Sequence, residues 1–133
     1  MKYMLDTDMC IYIIKKKSPK IIESLKKLNL GDVFLSVITL AELEYGVEKS
    51  GHREKNKIAL IGFLSPFDVL PFSHKAAVAY GKIRTALEKK GHIIGPYDLL
   101  IAAHALSEGM ILVTNNVREF ARIPNLKVEN WSE

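Results

Sequence analysis

A short apolar run that ends abruptly in acid sets the limits on this chain. Lys2-Tyr3-Met4-Leu5 reads as a buried strand, Asp6-Thr7-Asp8 stops it, and apolar spacing resumes as a helix at Cys10, Ile11, Ile13 and Ile14. A strand that hands a carboxylate to a helix is the plan of an α/β site, because open parallel sheets bind ligands beyond the carboxyl ends of their strands. Asp6 stands at that edge.

The same alternation runs through the sequence. Lys15-Lys16-Lys17-Ser18-Pro19 closes the first helix and opens a second over 19–29, with Ser18 as its cap and Pro19 at its first position. Val33-Phe34-Leu35-Ser36-Val37 is a second strand, and 38–64 reads as two antiparallel helices stopped by Ser65-Pro66. Asp68-Val69-Leu70-Pro71-Phe72 is a short strand, placed at an edge by Pro71. Ser73 caps a long helix from His74 to Lys90. Pro96 begins a small-residue helix that ends before Gly109, Met110–Thr114 is a buried strand, Asn116 opens a last short helix, and 126–129 is a terminal edge strand. Strands linked by helical crossovers predict a parallel sheet covered on both faces.

With 133 residues, 48% of them hydrophobic and 26% charged, the chain is expected to form one domain, 1–133, around one substantial core. Apolar stretches fall short of the ~18 residues of a membrane span. The N-terminus lacks the form of a signal peptide, and Cys10 is the single cysteine, so a cytoplasmic protein without membrane association is expected. A net charge of +4 suits a polyanionic partner as well as it suits ordinary solvated lysine.

Asp6, Glu42 and Asp98 each fall in the first turn of an expected helix. Each has a structural explanation: acids favour helix N-termini, Asp6 or Asp8 can cap, and Thr39-x-x-Glu42 fits a capping box. As a set they say more. Strand ends of a parallel sheet converge, and converging carboxylates repel one another unless a cation lies between them. Oxygen donors without cysteine favour magnesium or manganese, which can activate water against a phosphodiester. The four histidines, 52, 74, 92 and 104, form no metal-binding spacing, and His104 on an apolar helix reads as structural.

Four ordered blocks carry a family resemblance: Met4-Leu5-Asp6-Thr7-Asp8, Ser36 to Gly46, Gly95 to Ala105, and Val113 to Phe120. Together they resemble a PIN-domain endoribonuclease, specifically a VapC-type toxin of a toxin–antitoxin pair. The resemblance implies a three-layer sandwich with a five-stranded parallel sheet, first strand central. It implies Mg2+-dependent RNA cleavage (Mn2+ as substitute) leaving 3′-hydroxyl and 5′-phosphate ends, with Asp6, Glu42 and Asp98 as catalytic acids and metal ligands. It further implies a VapB-like antitoxin partner, a homodimer, and tRNA as target, initiator tRNA above all.

Two positions depart from the family pattern. Asn116 stands where many relatives have Asp, leaving its amide oxygen, or Glu119 one turn on, as substitute ligand. Asp8 stands where many have Asn, and supports the site or caps the helix. Thr7, Thr114 and Asn115 are polar groups at the same edge. Tyr97 can stack on a base or equally pack in the core, and Arg118 and Arg122, four apart on one short helix, can contact phosphate or simply be solvated. Two other functions compete. Asp6-Thr7-Asp8 also resembles the start of haloacid-dehalogenase-like phosphohydrolases, with Asp6 as nucleophile and Asp8 as acid; the chain is short for that fold and the expected strand-end lysine is not evident. A degenerate PIN-like RNA-binding module would draw its support from Asn116.

Overall fold

The computed structural model describes residues 1–16 and 18–132. Lys17, in the basic stretch expected to close the first helix, and Glu133 lie outside the described residues.

The chain runs β1 (Tyr3–Leu5), α1 (Thr7–Ile14), α2 (Pro19–Lys26), a 3-10 turn at Leu30–Asp32, β2 (Val33–Ser36), α3 (Val37–Glu48), α4 (Arg53–Leu64), β3 (Asp68–Leu70), α5 (His74–Lys89), α6 (Pro96–Ser107), β4 (Ile111–Val113), α7 (Val117–Phe120) and β5 (Val128–Glu129). The sheet has five strands in the order β3-β2-β1-β4-β5. Every pairing is parallel, with Tyr3 beside Val33 on one side and Ile111 on the other. β1 is central, as the resemblance implies, and β3 and β5 are the edges, as Pro71 and the short terminal strand suggested.

Side chains alternate across the sheet with the two-residue period of a strand. Met4, Phe34 and Leu112 enter one core, covered by α5 and α6 through Ile83, Leu87 and Ile101. Leu5, Leu35 and Val113 enter the other, covered by α1 to α4 through Met9, Ile21, Leu43 and Leu60. The result is the expected three-layer sandwich. Ala102, Ala103 and Ala105 of α6 have no exposed surface. Their small size lets α6 lie close against both the sheet and α5.

Local chemistry moved some boundaries. α3 begins at Val37 and not near Thr39, because Ser36 is its cap, with Oγ accepting from the Ile38 N–H at 3.1 Å. The capping box between Thr39 and Glu42 therefore does not form, and Glu42 lies in the second turn. Ser18 occupies the cap position of α2, but its side chain makes no capping bond. β3 stops at Leu70, before the proline. Ser73 caps α5 as expected, accepting from Ala76 at 3.2 Å. At the far end of α5, Gly91 (φ 71°) accepts the left-handed turn that a side chain resists.

Candidate active site

The carboxyl edge of the sheet gathers the polar groups. Asp6 follows β1 and caps α1, its carboxylate accepting from the Met9 N–H at 2.8 Å. The Asp6 N–H donates to the Val113 carbonyl at 3.0 Å, so the backbone of this residue is anchored to β4 as well. Thr114, fully buried after β4, donates its hydroxyl to Asp6 and accepts the Asn116 N–H at 2.9 Å.

Thr7 reaches toward α3. Its hydroxyl lies 2.6 Å from Glu42 Oε1 and 3.3 Å from Thr39 Oγ1. It has one proton, which Glu42 accepts; the buried Thr39 hydroxyl completes the longer contact. Sequence reasoning gave Thr39 only a capping role. A polar residue in an otherwise apolar helix start was the signal available for it.

Asp98 lies in the first turn of α6, half-buried. Gly95 packs beneath it: a Cβ at Gly95 would stand 3.7 Å from Asp98 Oδ2. Asn116 is exposed, and its Nδ2 donates to Glu119 Oε2 at 2.8 Å. The amide thus turns its nitrogen to Glu119, whose other oxygen, Oε1, is buried with no partner among the described residues, as is Asn115 Oδ1.

These acids feel one another. Burial pushes Asp6 up to about 7, against hydrogen bonds from Thr114 and Met9 and with help from the charges of Asp8 and Asp98. Asp98 is pushed up to about 6, first by burial and then by Glu119, Asp8 and Glu42. Among the described residues no lysine or arginine forms an ion pair with any of the five. Oxygen donors with uncompensated charge have the chemistry to hold a hard divalent cation. Their spacing is open, however: among the described residues no three acids, histidines or cysteines form a group that could hold a metal ion together. Asp6, Glu42 and Glu119 are each turned toward hydrogen-bond donors of the protein.

Asp8 is exposed, at the mouth of a groove of about 1030 Å³ between α1, α3 and α4. Ile11, Leu43, Val47 and Leu60 give the groove an apolar floor, and Glu42 and Tyr97 stand at its end. The remaining predicted residues sit around the rim. Tyr97 is 58% exposed. Arg118 is exposed, and Arg122 donates to the Ile93 carbonyl at 3.3 Å. The phosphohydrolase alternative is not favoured: Asp8 is exposed, and Asp6 has no lysine partner among the described residues.

Known proteins share this fold. A family described as "PIN domain" matches residues 3–126. Ribonuclease VapC2 of Rickettsia felis is 49% identical over 100% of both chains. The tRNA(fMet)-specific endonuclease VapC of Salmonella typhimurium is 47% identical over 98% of each. A crystal structure of VapBC2 from Rickettsia felis, bound to a DNA fragment from the promoter, superposes with a TM-score of 0.94 at 48% identity, covering 98% of this chain and 99% of that one. The chain belongs to the PIN-domain family and, within it, to the VapC ribonucleases. No helix among the described residues is long and apolar enough to cross a membrane.

Proposed function

We propose that this protein, acting as one domain over 1–133, is the toxin of a VapBC-type pair in the cytoplasm. It is a metal-dependent endoribonuclease that hydrolyses tRNA at a specific site, initiator tRNA above all, and so stops translation. The observation that carries this is the set of acids at the carboxyl edge, with Asp6 and Asp98 pushed up to about 7 and about 6 and, among the described residues, no cationic side chain paired with them. The relatives' names give the substrate class.

Asp6, Glu42 and Asp98 would hold the ion, with Glu119 as fourth acid and Asn116 orienting it. Magnesium, or manganese in its place, supplies when bound the positive charge that lets these acids ionise together and stabilises charge at the scissile phosphate. One carboxylate accepts the proton of the attacking water. Asp98, more open than Asp6, is suited to that task. Thr7 and Thr114 hold Glu42 and Asp6 in orientation. Arg118 and Tyr97, both exposed, meet the RNA.

The apolar groove ending at Glu42 suits a VapB-like antitoxin, which would cover the acids when seated there. The solved relatives titled VapBC make that partner the natural one. A homodimer of the toxin completes the proposed assembly.

The test is cleavage of total tRNA by wild type and Asp98→Asn with magnesium, manganese or EDTA. Discrete fragments that need metal and vanish in the variant support the assignment. No cleavage by folded, antitoxin-free wild type under either metal overturns it in favour of an RNA-binding module.

A further inference from the structure

We propose that the turn joining α5 to α6 is the surface that grips the RNA strand beside the scissile bond, with Lys89 and Lys90 on its phosphates and Ile93 and Tyr97 against its unstacked bases. This rests on the ribonuclease reading above and adds a contact surface to it.

The turn is a built structure. Its first half is a Schellman cap: the His92 N–H donates to the Leu87 carbonyl at 2.9 Å and the Gly91 N–H to the Glu88 carbonyl at 3.1 Å, with Gly91 in the left-handed region. Its second half is tied at three points. Ile94 is buried in the core, the Ile93 carbonyl accepts from Arg122, and the Gly95 carbonyl accepts from the Leu99 N–H at 2.9 Å. Between these ties the Ile93 side chain is 86% exposed. A single exposed apolar side chain is ordinary on a protein surface. This one stands on a backbone fixed from both sides, five residues from Asp98 and so within roughly 18 Å of it even for a fully extended chain.

Charge identifies the occupant. The acids of the site repel a phosphate backbone, so the attraction that seats RNA must come from cations nearby. Lys89 and Lys90 close α5 beside the turn, both exposed and in no ion pair among the described residues. Arg122 adds a third cation, bonded to the Ile93 carbonyl. Cations flanking an apolar tip and an exposed tyrosine are what a strand of unpaired RNA requires: charge for the sugar–phosphate chain, flat or apolar surface for bases.

The experiment uses full-length Asp98→Asn protein, which keeps labelled tRNA intact, and measures its dissociation constant across a range of salt. Three versions are compared: the parent, the Lys89→Ala/Lys90→Ala double variant, and Ile93→Ala. The double variant should bind several-fold more weakly at low salt, and the log–log slope should fall by about one for each lysine. Ile93→Ala should weaken binding at an unchanged slope. In the Asp98 background the same substitutions should raise KM for tRNA and leave kcat in place. Parent-like affinity and slope in both variants overturn the proposal while the ribonuclease reading stands. A parent that binds no tRNA, with a wild type that cleaves none, brings down both. Unchanged RNA binding with loss of a dimer in size-exclusion chromatography also overturns it, and makes the turn an interface between copies.

Discussion

His104 Nδ1 lies 2.7 Å from Ser36 Oγ, with both side chains fully buried. The same hydroxyl oxygen caps α3 by accepting the Ile38 N–H. One serine therefore ties the helix that carries Glu42 to the helix that carries Asp98. Burial lowers the His104 pKa, so the ring is neutral, and the edge of Phe72 packs on it at 5.4 Å. Ser36→Ala removes a cap, about 1 kcal/mol, and orphans a buried ring nitrogen, about 1–3 kcal/mol. The expected loss is about 2–4 kcal/mol by urea unfolding. A loss under about 0.5 kcal/mol, the ordinary range of a neutral surface change, would show the bond to be idle.

Asp6 gives the stability a pH dependence of known sign. Its folded-state pKa is raised from 3.8 to about 7, so between those values the folded protein holds a proton that the unfolded chain has released. Stability from this group is full below about pH 4 and is lost as pH rises toward 7. Asp6→Asn keeps an acceptor for Met9 and discards the charge. The variant should gain up to about 4 kcal/mol at pH 8 and nothing at pH 3.5, while losing all cleavage. His104 works in the opposite sense over neighbouring pH, destabilising below about 6.5, so the comparison is made between variant and wild type at each pH. An equal effect of Asp6→Asn at both pH values would remove burial as the origin of the shift.

Thr7 is held to position Glu42. Thr7→Val keeps the shape and deletes the 2.6 Å bond, leaving a carboxylate oxygen without its donor. We expect kcat to fall at least tenfold, with a stability loss of about 1–2 kcal/mol, and Thr7→Ser to restore most of both. Wild-type kcat in a folded Thr7→Val protein would show that Glu42 needs no such support.

Asn116 and Glu119 can be told apart by charge. Asn116→Asp places a carboxylate beside Glu119 where an amide now donates at 2.8 Å. Without metal it should cost about 0.5 kcal/mol, the scale of a like-charge pair one turn apart. With saturating manganese the cost should shrink, because a bound ion favours the added acid; the readout is the melting temperature with and without metal. Glu119→Gln should weaken manganese binding at least tenfold, and unchanged binding would return the fourth position to Asn116 alone.

The sheet was legible because buried parallel strands are nearly continuous apolar runs, and Met4-Leu5, Val33-Phe34-Leu35 and Ile111-Leu112-Val113 all paired as expected. The acids were legible from their places near expected helix starts, and the structure puts Asp98 within electrostatic reach of Glu119, Asp8 and Glu42, and Asp6 within reach of Asp8 and Asp98. The start of α3 was misjudged because Thr39-x-x-Glu42 mimics a cap, whereas Ser36, fixed at the end of β2, makes the real one. The His104–Ser36 bond spans 68 residues, and no local pattern announces a contact between distant elements. For the same reason the tie from Arg122 to the Ile93 carbonyl, 29 residues away, was invisible, and Arg122 read as a phosphate contact or a solvated side chain.

The central position of β1 also bears on biosynthesis. β1 leaves the ribosome before β4, with which it pairs on one flank, Tyr3 beside Ile111, and Asp6 is fastened to Val113 and Thr114. At about 5–20 residues per second, translation of the intervening segment takes roughly 5–20 s. During that interval the nascent chain has Asp6 and Glu42 but neither Thr114 nor Glu119. The acid at the centre of the sheet therefore gains the hydroxyl that holds it only after β4 has been made.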